Sequence, residues 1–259
     1  MNVVVCVKQI PDPAVPGALD ADHTLARAGK LILDESDSYG VEMALQLRDA
    51  AGGGEVVLVS MAPNDEVSGL RTALAMGADR AILVSDPACE GSDALGTAKV
   101  LARCVERAGS VDLVLTATES TDGYTGTVPA QVAELLGWPS LTFAKHIDLD
   151  DGTVRIQRQT EAGYDVVEAP MPAVVSVTAG VVEPRYPSFK GIMAAKNKPV
   201  DQVQVADLGL DASQVGWAGA RQEVTSVAQA PAREAGEKFE DDGTGFEKIV
   251  AYLENIKVI

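Results

Sequence analysis

Apolar runs alternate with helical patterns in the first half of the chain. The apolar runs are residues 3–7, 56–61, 81–84 and 111–116. The helical patterns are residues 38–48, 67–76, 92–108 and 127–136. Each run is mostly apolar, which is typical of a strand buried on both faces. Four strand–helix units in a row therefore predict an α/β fold, with an open, mostly parallel twisted sheet and helices on both of its faces.

The pattern changes near residue 144. Short segments at 144–149, 153–160 and 164–168 are separated by Asp150-Asp151-Gly152 and Glu161-Ala162-Gly163, which are typical of hairpin turns. An antiparallel hairpin region is therefore expected, followed by one more apolar strand at 173–177.

The last part of the chain lacks long periodic runs. Residues 200–243 are rich in Ala, Gly, Gln, Asp and Glu, which predicts an extended arm. A final helix is predicted over 245–255, and its apolar stripe needs a covering surface. The stripe consists of Phe246, Ile249, Val250 and Leu253. The expected divisions are a domain at 1–182, a connecting segment at 183–199 and an arm at 200–259.

Composition narrows the function. The chain has 259 residues, 46 % apolar, with a net charge of −17. That charge argues against a nucleic-acid binder and against docking on an anionic membrane. Three cysteines without a CxxC motif predict neither a disulfide framework nor a zinc site. With no signal-peptide pattern and no run of 18 apolar residues, a cytoplasmic protein without membrane insertion is expected.

Candidate chemistry lies after the strands, because ligands of open parallel sheets bind outside the carboxyl ends of the strands. The candidate segments are residues 8–12, 60–63 and 116–129. The third is rich in Ser, Thr and Gly and leads into a helix, a pattern that suits a phosphate. It equally fits a βα connection with a good helix cap. No Walker or Gly-x-Gly-x-x-Gly motif occurs, and neither His23 nor His146 accompanies a catalytic nucleophile or a metal-ligand cluster.

A basic segment stands out at 182–199. It carries a net charge of +3, while the rest of the chain sums to −20. Apolar side chains between the lysines make it a candidate docking surface. The alternative is a connector whose lysines only keep it soluble.

Several stretches resemble the electron transfer flavoprotein β-subunit family, in the same order and over nearly the whole chain. The longest is VEPRYPSFKGIMAAKNK at 182–198, and the others are 3–12, 71–80, 112–115 with 119–123, and 158–176. The resemblance implies the adenine-nucleotide-binding type of sheet and an αβ heterodimer. In that family the α subunit holds most of one FAD, and the β subunit binds AMP structurally. In electron-bifurcating members a second FAD takes the AMP site.

The resemblance also implies site residues. The nucleotide-contacting positions are Cys6, Asp34, Glu35, Ser36, Asp37, Met61, Ala117, Thr118, Glu119, Ser120, Thr121, Asp122, Gly123, Thr125, Gly126, Thr127 and Val128. The acidic residues at 34–37 depart from the family pattern. Their carboxylates would repel a phosphate, so binding through backbone groups or to ribose is expected. Pro13 stands near the place of an aromatic residue that lies close to the FAD in some members.

The basic segment matches the family's recognition loop, which docks on acyl-CoA and related dehydrogenases. The matching docking residues are Arg185, Tyr186, Phe189, Lys190, Ile192, Met193 and Lys196. Phe189 takes the place of the family's apolar anchor, and the arm matches an extension that wraps the α subunit. The expected function is thus an electron carrier, not an enzyme, passing electrons from dehydrogenases to a membrane-side oxidoreductase. The alternatives are a bifurcating member and a stand-alone nucleotide-binding regulator.

Overall fold

The computed structural model describes residues 1–259 except 28, 63, 229, 233–235, 237 and 239–242. The described residues form two compact units, Met1–Thr225 and Ser226–Ile259. The strands are β1 (Asn2–Cys6), β2 (Gln9–Pro11), β3 (Leu31–Leu33), β4 (Glu55–Ala62), β5 (Arg80–Ser85), β6 (Leu113–Ala117), β7 (Ser140–Asp150), β8 (Thr153–Thr160), β9 (Gly163–Pro170), β10 (Ala173–Val177) and β11 (Val200–Val203). The helices are α1 (Glu35–Ala50), α2 (Ser68–Met76), α3 (Ala94–Ala108), α4 (Val128–Leu136), α5 (Phe189–Ala195), α6 (Gly216–Gly219) and α7 (Gly245–Asn255).

One large sheet organises the first unit. Its order is β11–β5–β4–β1–β6–β10–β7–β8–β9. The pairs from β11 to β7 are parallel, and β8 and β9 continue the sheet as an antiparallel hairpin. The predicted mostly parallel α/β sheet with an antiparallel hairpin is therefore confirmed.

The core lies on both faces of this sheet. Val3 and Val5 of β1 are fully buried in the layer that holds α1 and α2. Val4 and Cys6 face the opposite layer, which holds α3 and α4. Alternate residues of one apolar strand thus serve two helical layers, as the continuous apolar run predicted.

The structure differs from the expectation of an arm that begins at residue 200. β11 pairs in parallel with β5, and Val203, Val205 and Val215 are buried in the core of the first unit. A four-residue strand with two polar residues is too short to give a periodic signal. Of the expected arm, residues 229, 233–235, 237 and 239–242 lie outside the described residues.

The second unit contains α7, whose bounds agree with the predicted helix. Phe246, Ile249 and Val250 on its apolar stripe are exposed. A small antiparallel pair, β2 with β3, was not predicted. It lies between β1 and α1 in the chain and belongs to the first unit.

Candidate functional site

The order in which strands are added to the sheet reverses beside β1. From β1 the chain proceeds to β4 and β5 on one side, and it then returns to β6 and β10 on the other. Such a switch point leaves a crevice outside the carboxyl ends of the two central strands, here β1 and β6. The segment after β1, the N-terminus of α1 and the β6–α4 loop (residues 118–127) all begin at this edge of the sheet. The third candidate segment of the sequence therefore lies where a ligand of this fold binds.

Two buried aspartates at the start of α1 hold neighbouring backbone groups. Asp34 caps α1 by accepting a hydrogen bond from the Ser36 amide at 3.1 Å, and its other oxygen accepts from the Thr121 amide at 2.8 Å. Asp37 accepts from the Lys8 amide at 2.5 Å. Burial and the nearby Asp34 carboxylate raise the pKa of Asp37 well above its ordinary value. Both side chains are thus engaged inside the protein: Asp34 fastens the β6–α4 loop to the start of α1, and Asp37 fastens the segment after β1 to the same helix.

A third aspartate anchors the loop through cations. Asp122 accepts a hydrogen bond from the Lys8 ammonium at 2.6 Å and forms a second ion pair with Arg27. Burial alone would raise the pKa of Asp122, but Lys8 and Arg27 hold it below its ordinary value. The Lys8 ammonium also donates to the Ser120 hydroxyl at 3.2 Å. These contacts join residues 95 to 114 positions apart in the sequence, so spacing gave no sign of Arg27 or of the pairing of Lys8 with Asp122, although Lys8 lies in the first candidate segment.

The second half of the loop is exposed. Thr125, Gly126 and Thr127 are accessible, and Gly126 has a φ of +64°, a conformation that favours glycine. No side chain in the described part of the chain caps α4, whereas Asp34 caps α1 and Asp93 caps α3. The positive N-terminal end of α4 is therefore left without a side-chain cap, which suits an anion, although Pro129 supplies no N–H there.

The remaining nucleotide-contacting candidates lie behind the loop. Cys6 and Ala117 are buried at the ends of β1 and β6, and Met61 is partly buried near the end of β4. Burial raises the pKa of the Cys6 thiol far above its ordinary value, so the thiol stays protonated and apolar in character. Residue 63 of the second candidate segment lies outside the described residues. Glu35 is exposed at the start of α1, beside the buried Asp34.

The basic segment is held against the first unit by internal contacts. The Arg185 guanidinium donates to both oxygens of buried Glu42 at 2.6 and 2.9 Å. The Lys198 ammonium donates to the Leu74 and Ala78 carbonyls at the end of α2. Two of the four basic side chains of the segment are therefore engaged within the protein. The hydrogen bonds of Arg185 and Lys198 thus hold the segment against the first unit.

Helix α5 of this segment packs directly on α2. Arg71 of α2 donates to the Ala195 and Lys198 carbonyls, each at 2.7 Å, at the end of α5. A Cβ on Gly191 would lie 2.5 Å from the Ala75 carbonyl oxygen, so only glycine permits this approach of the two backbones. The name α2–α5 clasp is used below for the contacts of Arg71 and Gly191 and for the bonds from Lys198 to the end of α2.

The other docking candidates are free at the surface. Tyr186 and Phe189 are 93 % and 80 % exposed, and Ile192 and Met193 are also exposed. Lys190 and Lys196 are exposed and have no charged or hydrogen-bonding partner among the residues that the structure describes. The segment thus presents an apolar patch around Phe189 flanked by two exposed cations, while its role in docking stays a prediction.

Two further observations bear on other kinds of site. Among the described residues, no three His, Cys, Asp or Glu side chains are grouped as metal ligands. The same part of the chain contains no helix that is both long and apolar enough to span a membrane.

Comparisons with known proteins point to one family. A sequence profile described as "Electron transfer flavoprotein domain" matches residues 22–208. The electron transfer flavoprotein subunit beta of Mycobacterium tuberculosis (strain ATCC 25618 / H37Rv) is 42 % identical over 264 aligned residues, covering 100 % of this chain and 99 % of that protein.

More distant relatives carry related names. The electron transfer flavoprotein subunit beta of Megasphaera elsdenii is 36 % identical over 93 % of both chains. The caffeyl-CoA reductase–Etf complex subunit CarD of Acetobacterium woodii is 34 % identical over 92 % of this chain and 91 % of its own. With the profile covering more than half of the chain, this protein belongs to the electron transfer flavoprotein family as a β subunit, an electron carrier rather than an enzyme.

Proposed function

We propose that this chain forms an αβ heterodimer in which the α subunit holds most of one FAD, while the switch-point crevice of this chain holds AMP. The observation that carries the nucleotide assignment is the β6–α4 loop at the topological switch point, with α4 left uncapped behind it. The uncapped start of α4 and the exposed residues Thr125 and Thr127, with their hydroxyl groups, suit a phosphate. The partly buried Met61 and the buried Cys6 suit the flat apolar ring of a base.

The aspartates at 34, 37 and 122 fit this proposal because their charges do not face the phosphate unopposed. Asp34 is engaged by two amides, Asp37 by one, and Asp122 by Lys8 and Arg27. They therefore act by shaping the loop, whose own backbone and hydroxyl groups bind the ligand.

The electron donors we propose are acyl-CoA dehydrogenases and related flavin dehydrogenases, which dock on the patch around Phe189. The acceptor we propose is a membrane-side oxidoreductase. When bound, FAD supplies the redox chemistry, and this chain binds, orients and shields. Residues 226–259 with their exposed α7 stripe suit wrapping on the α subunit. Three buried free thiols suit the reducing cytoplasm, where we place the protein.

Counting released nucleotides tests the cofactor assignment. The heterodimer is denatured, and FAD and AMP in the supernatant are quantified by chromatography. One FAD and one AMP per heterodimer are expected. Two FAD and no AMP would instead support a bifurcating carrier, while one FAD with no adenine nucleotide beside it would overturn the switch-point site.

A second experiment separates the carrier from a stand-alone nucleotide-binding regulator. The chain is expressed with and without its α partner. We expect flavin and an intact dimer only in the co-expressed sample. A monodisperse single chain that fails to bind the α subunit would exclude the carrier proposal.

A further inference from the structure

Arg221 lines a surface groove beside the exposed half of the β6–α4 loop. Its backbone amide donates to one oxygen of Asp93 at 2.7 Å, and the other oxygen of that carboxylate accepts from the Gly96 amide at 2.7 Å. One side chain therefore caps α3 and fixes the chain at Arg221. Although burial opposes ionisation, the two amide donors hold the pKa of Asp93 below its ordinary value, so the anchor stays charged at neutral pH.

The segment leading to Arg221 is fixed along the same edge of the sheet. The Gly216 amide donates to the Ser92 hydroxyl at 2.8 Å, and the Trp217 amide donates to the Glu90 carbonyl at 2.9 Å. A Cβ on Gly216 would lie 2.0 Å from the Ala88 carbonyl oxygen, so the two backbones are in direct contact. The position of Arg221 is thus set by the fold rather than by a free tail.

The groove has a volume of about 380 Å³, and Thr125, Thr127 and Gln131 line it together with Arg221. Within the described residues, the Arg221 guanidinium has neither an ion pair nor a hydrogen-bond acceptor. The buried Gln131 Oε1 atom also lacks a partner there. An occupant that satisfies both groups carries an anion for Arg221 and a donor, such as a sugar hydroxyl, for Gln131.

The other cations at this edge are already engaged. Lys8 and Arg27 both pair with Asp122 in the fastened half of the loop. A phosphate at the start of α4 would thus meet helix amides and threonine hydroxyls, but no free charge from these two residues.

We propose that Arg221 is a ligand-binding residue of the nucleotide site, pairing with the phosphate of the nucleotide, and that Asp93 is its positioning residue. This proposal rests on the switch-point nucleotide site proposed above. It adds the class of ligand group that the groove selects, a phosphate next to a hydroxylated sugar.

The test compares ligands with and without a phosphate. The heterodimer is depleted of nucleotide by dialysis, and AMP, adenosine and FAD are titrated by calorimetry. In Arg221→Gln we expect AMP affinity to fall about tenfold, the size of one partly exposed charge-assisted hydrogen bond. Adenosine affinity should not change, because adenosine carries no anion. Arg221→Lys should recover part of the AMP affinity, since it keeps the charge without the planar fork.

Arg103→Gln is the matched control, because it removes the same charge from the exposed surface of α3. Arg103 pairs with Glu106 and lies ten residues beyond Asp93, about 15 Å along the helix. Equal AMP affinity in wild type and Arg221→Gln would overturn the role of Arg221 while leaving the site intact. A parallel loss of adenosine affinity would also overturn it, because the effect would then not concern the phosphate. If the wild type binds neither AMP nor FAD beyond the α-subunit flavin, the nucleotide site itself is wrong.

Discussion

The ion pair between Glu42 and Arg185 offers a sharp test of how the basic segment at 182–199 is held. Glu42 lies on α1 with only 4 % of its side chain exposed, and its oxygens accept from Arg185 and, at 2.8 Å, from Gln46. The pair joins residues 143 positions apart, at the point where the docking segment begins. Arg185→Met keeps the apolar stem of the side chain and removes the charge, while Glu42→Gln removes the opposite charge with little change of shape.

The expected magnitude follows from burial. Deleting one partner of a fully buried pair costs about 3–5 kcal/mol, because the other charge is left without compensation. The Arg185 side chain is 41 % exposed, so water screens the pair and some solvent reaches Glu42 after the change. We therefore expect a loss of about 2 kcal/mol for Arg185→Met and about 1 kcal/mol for Glu42→Gln, with the double variant no worse than Arg185→Met alone.

Urea unfolding of the heterodimer followed by tryptophan fluorescence measures these differences, since both tryptophans lie in the first unit. Protein concentration is held fixed because subunit association shifts the midpoint. The pH dependence has a definite sign. Burial opposes ionisation of Glu42, but hydrogen bonds from Arg185 and Gln46 lower its pKa below the ordinary value. The stabilisation is thus present above the ordinary glutamate pKa and is lost as pH falls through the lowered one.

Two results would refute this reasoning. Strictly additive losses in the double variant would mean that the two side chains do not act on each other. The second result concerns function, measured as reduction of the heterodimer flavin by an acyl-CoA dehydrogenase with its substrate. If Arg185 positions the segment, Glu42→Gln should slow this reduction although Arg185 is still present. Slow reduction in Arg185→Met together with normal reduction in Glu42→Gln would show that Arg185 contacts the dehydrogenase directly.

Substitution of Phe189, substitution of Asp37 and truncation of the chain each have an expected outcome. Phe189→Ala should leave stability within about 0.5 kcal/mol, because the ring is exposed, and should slow flavin reduction with normal FAD content, whereas loss of FAD measured by absorbance would contradict docking. The unfolding free energy of the wild type should decline as pH rises from about 4 through the raised pKa of Asp37, because a carboxyl with a raised pKa stabilises the fold only while protonated. Asp37→Asn should remove this decline. The same pH profile of urea unfolding in both proteins would contradict the burial of Asp37. Truncation after Thr225 should leave the first unit cooperatively folded but weaken assembly with the α subunit. Truncation after Pro199 should also lower the melting temperature, because it removes β11. Equal melting temperatures of the two truncated chains, measured by circular dichroism, would contradict the role of β11.

The sheet could be predicted from the sequence because its strands are long apolar runs buried on both faces. The β2–β3 pair could not, since each strand has three residues and ends in a segment without periodicity. β11 escaped for a related reason. Its Asp201 and Gln202 side chains are exposed at the edge of the sheet, so only Val203 is buried.

The position of the candidate site could be predicted from the sequence, but its ion pairs and hydrogen bonds could not. A Ser/Thr/Gly-rich loop after a central strand identifies the crevice, because topology brings it there. The ion pairs of Asp122 with Lys8 and Arg27 depend on how distant segments meet, which no local pattern encodes. Arg221 follows no motif, and its place depends on contacts with residues far away in the sequence, among them Ser92 to Gly216 and Asp93 to the Arg221 amide.

The α2–α5 clasp has a kinetic consequence for the proposed carrier, which receives electrons from several dehydrogenases in turn. Because Arg71 and Lys198 already fix the C-terminal end of α5 on α2, a partner does not have to immobilise that end when it binds. Each partner therefore meets α5 already packed on α2, with the Phe189 ring exposed at its start, and a small contact is enough for a productive collision. The same small contact dissociates quickly, so residence time on one dehydrogenase need not limit how soon the next is served.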